Sequence, residues 1–340
     1  MKIAIFSAQS YDRHFLEEAL SRHYGDGSVE LMYHTESLTR QSVALAQDCC
    51  AVCVFVNDVL DAPVLEALAS LGVRAVLMRC AGFNNLDVAV AAHLGMFVAR
   101  VPSYSPEAVA EHTLALILTL NRHTHRAYAR VREGNFALDG LLGSTLHGKT
   151  VGLIGIGKIG LAVARIFNGF GCRVLGYDPI TSTEFAQLGT MTALPDLLAE
   201  SDIVSLHCPL LESTHYIIDN AALERMKPGA MLVNTSRGAL LNTGAVIGAL
   251  KSRKLGALAI DVYEQESELF FQDHSADIIT DDVFQRLITF PNVLVTGHQG
   301  FFTVEALREI AETTFSNLAC FLAGSSCANL VPGTASLLAH

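Results

Sequence analysis

Residues 149–179 read KTVGLIGIGKIGLAVARIFNGFGCRVLGYDP and decide the fold. An apolar segment at 151–154 runs directly into the pattern G-x-G-x-x-G, made by Gly155, Gly157 and Gly160, and a helical segment follows. In such a turn the first glycine allows a sharp bend, the second lets the backbone approach a pyrophosphate, and the third lets helix and strand pack closely. The alternative is a glycine turn without a ligand. The strand–turn–helix context favours a Rossmann unit that binds a dinucleotide at the helix N-terminus.

An acidic residue follows at the spacing that this unit requires. Asp178 stands eighteen residues after Gly160, at the end of the next apolar strand, residues 173–177. A carboxylate there can bind a ribose 2′-hydroxyl and would repel a 2′-phosphate. Pro179 and Ile180 supply no cation that could hold such a phosphate. The cofactor is therefore predicted to be NAD rather than NADP.

The chain of 340 residues is long for one core, which predicts two domains. In the first hundred residues, strand-like and helix-like segments alternate, which is typical of parallel βα units. Further segments of strand length follow the glycine turn, at residues 203–207, 231–234, 257–261 and 293–296. The fold class is therefore predicted to be α/β, with doubly wound parallel sheets.

One long helix is predicted over residues 107–132. Its centre, LALILTL, is apolar on nearly every face. A helix of this kind is normally buried. We expect it to pack against a second subunit, as in a homodimer or homotetramer.

Composition limits the partners. The chain is 51% hydrophobic, and 23 Lys and Arg face 34 Asp and Glu, a formal charge of -11. Nucleic acids and anionic membranes attract clustered cations, which this sequence lacks, so neither is expected as a partner. The longest apolar run, residues 49–56, is far shorter than the roughly 20 residues of a membrane helix. The N-terminus resembles a strand rather than a signal peptide, and the protein is expected to be cytoplasmic.

The eight cysteines include a formal C-x-x-C, Cys50 to Cys53. One interpretation is a redox or metal site. The pair lies among Val, Ala and Phe, however, and no second C-x-x-C is present. A buried strand with reduced thiols is the favoured interpretation, and no metal site is expected.

Polar residues follow three of the predicted strands. Arg237 follows residues 231–234, Glu266 follows 257–261, and His298 ends the strand at 293–296. Ligands of doubly wound sheets bind beyond the carboxyl ends of the strands, so these side chains could converge on a cofactor.

Each of them also has an ordinary interpretation. Arg237 and Glu266 could be solvated loop residues, and His298 a satisfied core or surface histidine. Glu264 is as good a candidate as Glu266, because spacing alone does not choose between them.

Six segments together resemble one enzyme family. They are RVPSYSPEAVAEHTLALILTLNR, GLIGIGKIG, SDIVSLHCPL, MKPGAMLVNTSRGAL, DVYEQESELFFQD and TGHQGFFT, and they span most of residues 75–310. In order and spacing they resemble the D-2-hydroxyacid dehydrogenases, most closely the fermentative NAD-dependent D-lactate dehydrogenases. The resemblance implies reversible hydride transfer between NADH and a 2-keto acid, with pyruvate giving D-lactate.

The resemblance also implies catalytic roles and favours Glu266 over Glu264. Arg237 would bind the substrate carboxylate and polarise the carbonyl with a two-pronged guanidinium. His298 would give a proton to the carbonyl oxygen in reduction and take it back in oxidation. Glu266 would hydrogen-bond the other ring nitrogen, which fixes the tautomer and favours the imidazolium.

Binding residues are implied in the same way. For the substrate these are the backbone N–H groups near Ala81 and Gly82, the side chain of Tyr104, and Phe301 beside the apolar end of the substrate. The alternative for Ala81 and Gly82 is an ordinary glycine turn. The alternative for Tyr104 is a side chain that only packs at the start of a helix. For the cofactor the implied contacts are Gly155, Gly157, Lys158, Ile159, Gly160, Asp178, Cys208, Pro209, Thr214, Thr235, Ser236 and Asp261.

The family architecture implies an inserted cofactor domain. Residues 1–101 and 300–340 would form the substrate domain, and residues 102–299 the NAD domain. The sequence departs from lactate-type members at Gly300, where they often carry Ala, and at Cys80, where they carry Ser or Ala. Two rival functions are a dehydrogenase for glyoxylate, hydroxypyruvate or a bulkier 2-keto acid, and a non-enzymatic NAD-sensing scaffold similar to a corepressor.

Overall fold

Two parallel sheets organise the chain in the computed structural model, which describes residues 1–25 and 27–334. The strands are β1 (Lys2–Ile5), β2 (Glu30–Tyr33), β3 (Ala51–Val54), β4 (Ala75–Met78), β5 (Phe97–Arg100), β6 (Thr150–Ile154), β7 (Arg173–Tyr177), β8 (Thr190–Met191), β9 (Ile203–Leu206), β10 (Ala230–Asn234), β11 (Leu255–Ile260) and β12 (Val293–Val295). The helices are α1 (Ser10–Tyr24), α2 (Ala62–Ser70), α3 (Val88–His93), α4 (Pro106–Arg122), α5 (Thr124–Arg132), α6 (Lys158–Gly169), α7 (Leu194–Glu200), α8 (Asn220–Arg225), α9 (Thr243–Lys251), α10 (Asp282–Ile288) and α11 (Val304–Ala323).

The first unit comprises Met1–Ser105 and the chain from Phe302 onward. Its sheet has the order β2-β1-β3-β4-β5, with parallel pairing throughout. The central strands β3 and β4 are buried along their whole length, as expected for strands covered on both faces. One face packs against α1 and α11, and the other against α2 and α3.

The second unit comprises Pro106–Phe301. Its parallel sheet has the order β12-β11-β10-β9-β6-β7-β8, so the order reverses between β6 and β9. Helices α4 and α6 cover one face, and α7, α8, α9 and α10 cover the other. Such a reversal point is where doubly wound sheets bind their ligands.

Two parallel α/β sheets, with the second unit inserted into the first, confirm the predicted fold class. The predicted domain limits at residues 101 and 299 stay predictions. Among the described residues, no helix combines the length and apolar character needed to cross a membrane.

The prediction of a single helix over residues 107–132 is wrong. The chain breaks at His123, whose φ of 50° is left-handed, and α4 ends one residue earlier. No glycine or proline marks this break in the sequence. Asn121 supports it instead, because its side chain accepts the backbone N–H of Ser144 at 3.2 Å and donates to the Ser144 carbonyl at 2.6 Å. Residues of α4 pack into the second unit, whereas α5 buries none of its side chains.

Only one cysteine of the C-x-x-C pattern lies in the core, since Cys50 is partly exposed. Cys53 is a fully buried residue of β3, and Cys49 is also buried. Burial raises the pKa of the Cys53 thiol, so the protonated form is favoured. All eight cysteines lie in the described part of the chain and are free thiols.

A buried carboxylate joins the loops at the carboxyl edge of the first sheet. Asp58, which is 1% exposed, accepts hydrogen bonds from the backbone N–H of Leu38 at 2.6 Å and of Phe55 at 2.6 Å. It also accepts the Ser7 hydroxyl at 2.7 Å. Burial raises the pKa of Asp58 in spite of these hydrogen bonds. The carboxylate is retained in the core because it accepts hydrogen bonds from two backbone N–H groups and one hydroxyl.

We therefore expect Asp58→Ala to lower the free energy of unfolding by about 2–4 kcal/mol, since two buried donors lose their acceptor. Urea unfolding followed by far-UV circular dichroism measures this loss. Asp61→Ala is the control, because Asp61 caps α2 through the Val64 N–H at 3.1 Å. Loss of an N-cap costs only about 1 kcal/mol. Equal losses for the two variants would contradict the interpretation.

Candidate active site

The three glycines of the turn after β6 differ in their surroundings. Gly155 has a φ of 98°, and a Cβ on it would collide with the backbone of His207 and Cys208. A Cβ on Gly160 would collide with the carbonyl oxygen of Gly155. A Cβ on Gly157 would meet no atom within 4 Å. Two glycines therefore serve close packing within the protein, and the open side at Gly157 leaves room for a pyrophosphate at the start of α6.

The groups beside this turn are held uncharged. Burial lowers the pKa of His207 to about 4, and its Nε2 lies 2.9 Å from the Ser205 hydroxyl. Burial, with a smaller contribution from the charge of Asp178, raises the pKa of Cys208 to about 11. At neutral pH the imidazole is thus neutral and the thiol protonated. The attraction for a pyrophosphate comes from backbone N–H groups rather than from these side chains.

Asp178 follows β7 and is anchored by backbone groups. Its Oδ2 accepts the Ile156 N–H at 2.7 Å, and its Oδ1 accepts the Ile180 N–H at 2.8 Å. The first contact ties the carboxylate to the glycine turn itself. This is the position from which an acidic residue reaches the ribose of a dinucleotide.

The remaining cofactor candidates lie along the same carboxyl edge. Cys208 and Pro209 follow β9, and Thr235 and Ser236 follow β10. The Ser236 hydroxyl donates to the Cys208 carbonyl at 2.7 Å, so the loops after β9 and β10 are joined. Thr214 is engaged inside its own loop, where its hydroxyl donates to the Pro209 carbonyl at 2.7 Å. Lys158 and Ile159 form the first turn of α6. Direct cofactor contacts for these residues stay predictions.

His298 and Glu266 are brought together at this edge. His298 Nδ1 lies 2.8 Å from Glu266 Oε1, and the side chains are 14% and 20% exposed. An ionised carboxylate only accepts hydrogen bonds, so Nδ1 carries the proton in this pair. The second oxygen of Glu266 accepts the Tyr263 N–H at 2.9 Å, which orients the carboxylate. The other ring nitrogen, Nε2, is therefore the one that could exchange a proton with a substrate.

Glu264, the alternative, points to a different partner. It is exposed, and its Oε1 accepts the Tyr216 hydroxyl at 2.5 Å. The two glutamates, which spacing could not tell apart, thus differ in what they touch.

Arg237 follows β10, the strand that pairs with β11 next to β12. Its Nη1 donates to the Ser236 carbonyl at 2.7 Å, which directs the partly buried side chain along the loop. The three predicted catalytic residues therefore follow three adjacent strands of one sheet.

The turn that carries His298 is held by Asp261. The Asp261 carboxylate accepts the Gln299 N–H at 2.9 Å and the Gly300 N–H at 2.8 Å. The Asp261 carbonyl accepts the His298 N–H at 2.7 Å. His298 has a left-handed φ of 53°, a conformation that costs energy for any residue with a side chain. Asp261 therefore stabilises a strained turn, in addition to the cofactor contact predicted for it.

Two residues that the sequence did not single out complete this arrangement. The Thr296 hydroxyl donates to Asp261 Oδ1 at 2.5 Å, and His112 Nε2 lies 3.2 Å from the same oxygen. Burial would raise the pKa of Asp261, but hydrogen bonds led by the one from His112 outweigh it and hold that pKa below its usual range. His112 lies 149 positions away on α4, so no local pattern could have revealed it.

Two phenylalanine rings lie close to the imidazole. The ring centre of Phe301 lies 6.4 Å from that of His298 at a steep angle, and the ring centre of Phe271 lies 5.8 Å away. Phe271 also has a left-handed φ, 68°. The contact predicted for Phe301 with the apolar end of a substrate stays a prediction, and the sequence analysis did not single out Phe271.

The predicted substrate residues Ala81, Gly82 and Tyr104 belong to the first unit, in the segments that follow β4 and β5. Their contacts with a substrate stay predictions. Arg79 precedes this loop but is 1% exposed, and its guanidinium donates to the Phe6 carbonyl at 3.2 Å and the Cys53 carbonyl at 3.3 Å. It serves the core. Among the described residues, no group of three or more His, Cys, Asp or Glu side chains could hold a metal ion.

Comparison with known proteins supports the motif-based resemblance. The sequence profile of the family "D-isomer specific 2-hydroxyacid dehydrogenase, NAD binding domain" matches residues 114–300. The chain is 60% identical to "2-hydroxyacid dehydrogenase A" of Aspergillus oryzae over 97% of this chain and 94% of that protein. It is 56% identical to "D-lactate dehydrogenase kk1H" of Curvularia clavata over 98% of this chain and 96% of that protein.

A solved structure agrees. The apo-structure of D-lactate dehydrogenase from Escherichia coli superposes with a TM-score of 0.88 at 47% identity, covering 97% of this chain and all of that one. The predicted resemblance, NAD as cofactor and an oxidoreductase activity are thereby confirmed.

We expect Asp178→Asn to raise the affinity for NADPH and to lower that for NADH, each by about three- to tenfold, because the substitution removes the charge but keeps an acceptor for Ile156. Fluorescence titration of both cofactors measures the change. Asp196→Asn is the control, since it removes one negative charge from an exposed residue of α7 in the same unit. Unchanged NADPH affinity would show that the charge of Asp178 does not discriminate between the cofactors.

Proposed function

We propose that this chain, which belongs to the D-isomer specific 2-hydroxyacid dehydrogenase family, reduces pyruvate to D-lactate with NADH and catalyses the reverse reaction. The observation that carries this proposal is the His298–Glu266 pair, with 2.8 Å between Nδ1 and Oε1, at the carboxyl edge of the sheet that holds the glycine turn. Relatives that bear the name D-lactate dehydrogenase support the choice of pyruvate.

Arg237 binds the substrate in this mechanism. A 2-keto acid offers a carboxylate and a carbonyl oxygen side by side, and a planar guanidinium can donate to both. The contact of Arg237 Nη1 with the Ser236 carbonyl leaves the other edge of the guanidinium to face a ligand. The positive charge would also polarise the carbonyl and so favour attack at C2.

His298 moves the proton. When bound, the nicotinamide supplies hydride to C2 in reduction and accepts it in oxidation. In reduction His298 Nε2–H donates its proton to the developing alkoxide, and in oxidation neutral Nε2 takes the proton from the hydroxyl group. The Glu266 carboxylate keeps the proton of Nδ1 in place and stabilises the imidazolium. Proton and hydride together account for the two hydrogens that separate pyruvate from lactate.

The surroundings of His298 favour a small substrate. Phe301 and Phe271 both lie close to the imidazole as large apolar groups. A methyl group next to Phe301 is compatible with this environment, whereas a phosphate is not. We also propose Ala81, Gly82 and Tyr104 as substrate-binding residues, residues 1–101 and 300–340 as the substrate domain, and residues 102–299 as the NAD domain.

We also propose that the enzyme is a homo-oligomer. Large apolar side chains are exposed in and after α5, with exposed fractions of 66% for Tyr128, 73% for Phe136, 81% for Leu138 and 91% for Leu142. Apolar residues concentrated in one segment mark an interaction surface. A second copy of the chain is the proposed partner, through this segment rather than through the buried face of α4.

The free thiols suit the reducing cytoplasm, where we propose that the enzyme acts.

The direct test is oxidation of NADH at 340 nm with pyruvate, followed by chiral analysis of the product. Rapid turnover that gives only D-lactate supports the proposal. Turnover of hydroxypyruvate, glyoxylate or a longer keto acid, but not of pyruvate, would change the substrate and keep the mechanism. Tight NADH binding without turnover of any 2-keto acid would favour the sensing scaffold.

We expect His298→Gln to lower kcat by about a thousandfold, since it removes the proton donor. Glu266→Gln should lower kcat by about ten- to a hundredfold, because the histidine keeps its place but loses its charged partner. Steady-state kinetics measures both. Glu264→Gln is the matched control and should stay within about twofold of the unaltered protein. Equal losses at positions 264 and 266 would contradict the assignment.

For the oligomer, we expect the double variant Phe136→Ser and Leu138→Ser to shift the protein to a smaller assembly, because an interface loses two apolar contacts. Sedimentation velocity measures the mass. Ile278→Ser, at a side chain that is 90% exposed outside this segment, is the control. A monomeric unaltered protein, or an unchanged mass in the double variant, would contradict the proposed interface.

A further inference from the structure

Arg100, the last residue of β5, has a backbone fixed on both sides. Its N–H donates to the Asn329 carbonyl at 3.0 Å, and its carbonyl accepts from Asn317 Nδ2 at 2.9 Å. Asn317 is 1% exposed on α11, and its Oδ1 accepts from Asn329 Nδ2 at 2.8 Å. The side chain of Arg100 therefore starts from a rigid base within the first unit.

The guanidinium of Arg100 reaches the loop after β4. Its Nη1 donates to the Ala81 carbonyl at 2.5 Å, and its Cζ lies 5.2 Å from the ring centre of Phe83. A guanidinium at this distance is attracted to the ring. One side chain thus contacts the loop on both sides of Gly82.

Three successive carbonyl groups of this loop are engaged. The Cys80 carbonyl accepts the Val101 N–H at 3.2 Å, and the Gly82 carbonyl accepts the Cys80 thiol at 3.2 Å. The Ala81 carbonyl, between them, accepts Arg100. The N–H groups of Ala81 and Gly82 donate to no acceptor in the part of the chain that the structure describes. Adjacent N–H groups of this kind can bind an anion.

The directions of these N–H groups follow from the carbonyl contacts. In a trans peptide the C=O of one residue and the N–H of the next point in opposite directions. The contact of Arg100 with the Ala81 carbonyl therefore fixes where the Gly82 N–H points. Without it, the peptide between Ala81 and Gly82 is free to rotate, because glycine has few conformational restrictions.

We propose that Arg100 is a positioning residue, which preforms the carboxylate-binding loop of residues 80–83 by holding the Ala81 carbonyl away from the substrate. This inference rests on the proposed function, since it takes the loop as the site of a 2-keto acid carboxylate. Arg100 acts on the substrate through the loop. Its effect is present before any substrate arrives.

The test compares Arg100→Met, Arg100→Lys and the control Arg74→Met, at an exposed arginine next to β4. Steady-state kinetics gives kcat and the KM for pyruvate, and fluorescence gives the Kd for NADH. Hydrogen exchange is measured by mass spectrometry on the peptide that covers residues 79–86, without substrate. Oxamate, an unreactive analogue with the same carboxylate, is then added to the same peptide measurement.

In Arg100→Met we expect the KM for pyruvate to rise about tenfold or more, with kcat and the Kd for NADH within about twofold. Arg100→Lys keeps the positive charge and a hydrogen-bond donor but loses the planar guanidinium. Its KM for pyruvate should therefore lie between that of the unaltered protein and that of Arg100→Met. Exchange in residues 79–86 should be faster in both variants before substrate is added. Arg74→Met should behave like the unaltered protein.

Other outcomes overturn the proposal. A higher KM with unchanged exchange in the substrate-free protein would mean that Arg100 binds the substrate directly. Faster exchange throughout β5 and α11, with weaker NADH binding, would mean a general loss of structure. An unchanged KM would exclude any role. If the unaltered protein reduces no 2-keto acid, the proposed function fails, but the oxamate measurement still tests Arg100. Slower hydrogen exchange of residues 79–86 with oxamate in the unaltered protein, and no such slowing in Arg100→Met, would show that Arg100 prepares a carboxylate site.

Discussion

The buried carboxylate of Asp261 is the interaction on which the candidate active site depends. It accepts backbone N–H groups from the turn after β12, a hydroxyl from Thr296 and a hydrogen bond from His112 on α4. A strained residue such as His298 keeps its conformation only when its surroundings leave no alternative. Asp261 provides that constraint, because it directly follows β11 and is 1% exposed. The position of the imidazole therefore depends on Asp261 at the end of β11.

In both units, side chains at strand ends form hydrogen bonds with the backbone of the loops. Parallel strands end at one edge, and their loops meet there with many polar groups that need partners. In the first unit Asp58 and Arg79 satisfy such groups within the core. In the second unit Asp178 and Asp261 do so next to the glycine turn and the histidine turn. Acidic residues at strand ends therefore have a structural role here as well as the roles proposed for them in binding.

Much of the fold could be predicted from the sequence, because buried parallel strands are apolar runs and the glycine turn has a distinct spacing. The break at His123 could not, since it depends on the contacts of Asn121 with Ser144 and not on a local breaker residue. The same limit applies at the site. Strand ends indicated Arg237, Glu266 and His298, but only tertiary distances separate Glu266 from Glu264, and only tertiary packing brings His112 and Phe271 into the arrangement.

Gly300 has a consequence for inhibitor selectivity. A methyl group at this position would lie 3.1 Å from Asp261 Oδ2, which is tighter than ordinary van der Waals contact, and 3.5 Å from the His112 ring, which is an ordinary contact distance. In a Gly300→Ala variant of this chain, the carboxylate or the turn would have to shift by a few tenths of an ångström. The imidazole moves with that turn. Compounds that depend on a short hydrogen bond to this histidine would therefore rank differently against the unaltered protein and this variant, even where every residue in contact with the compound is the same.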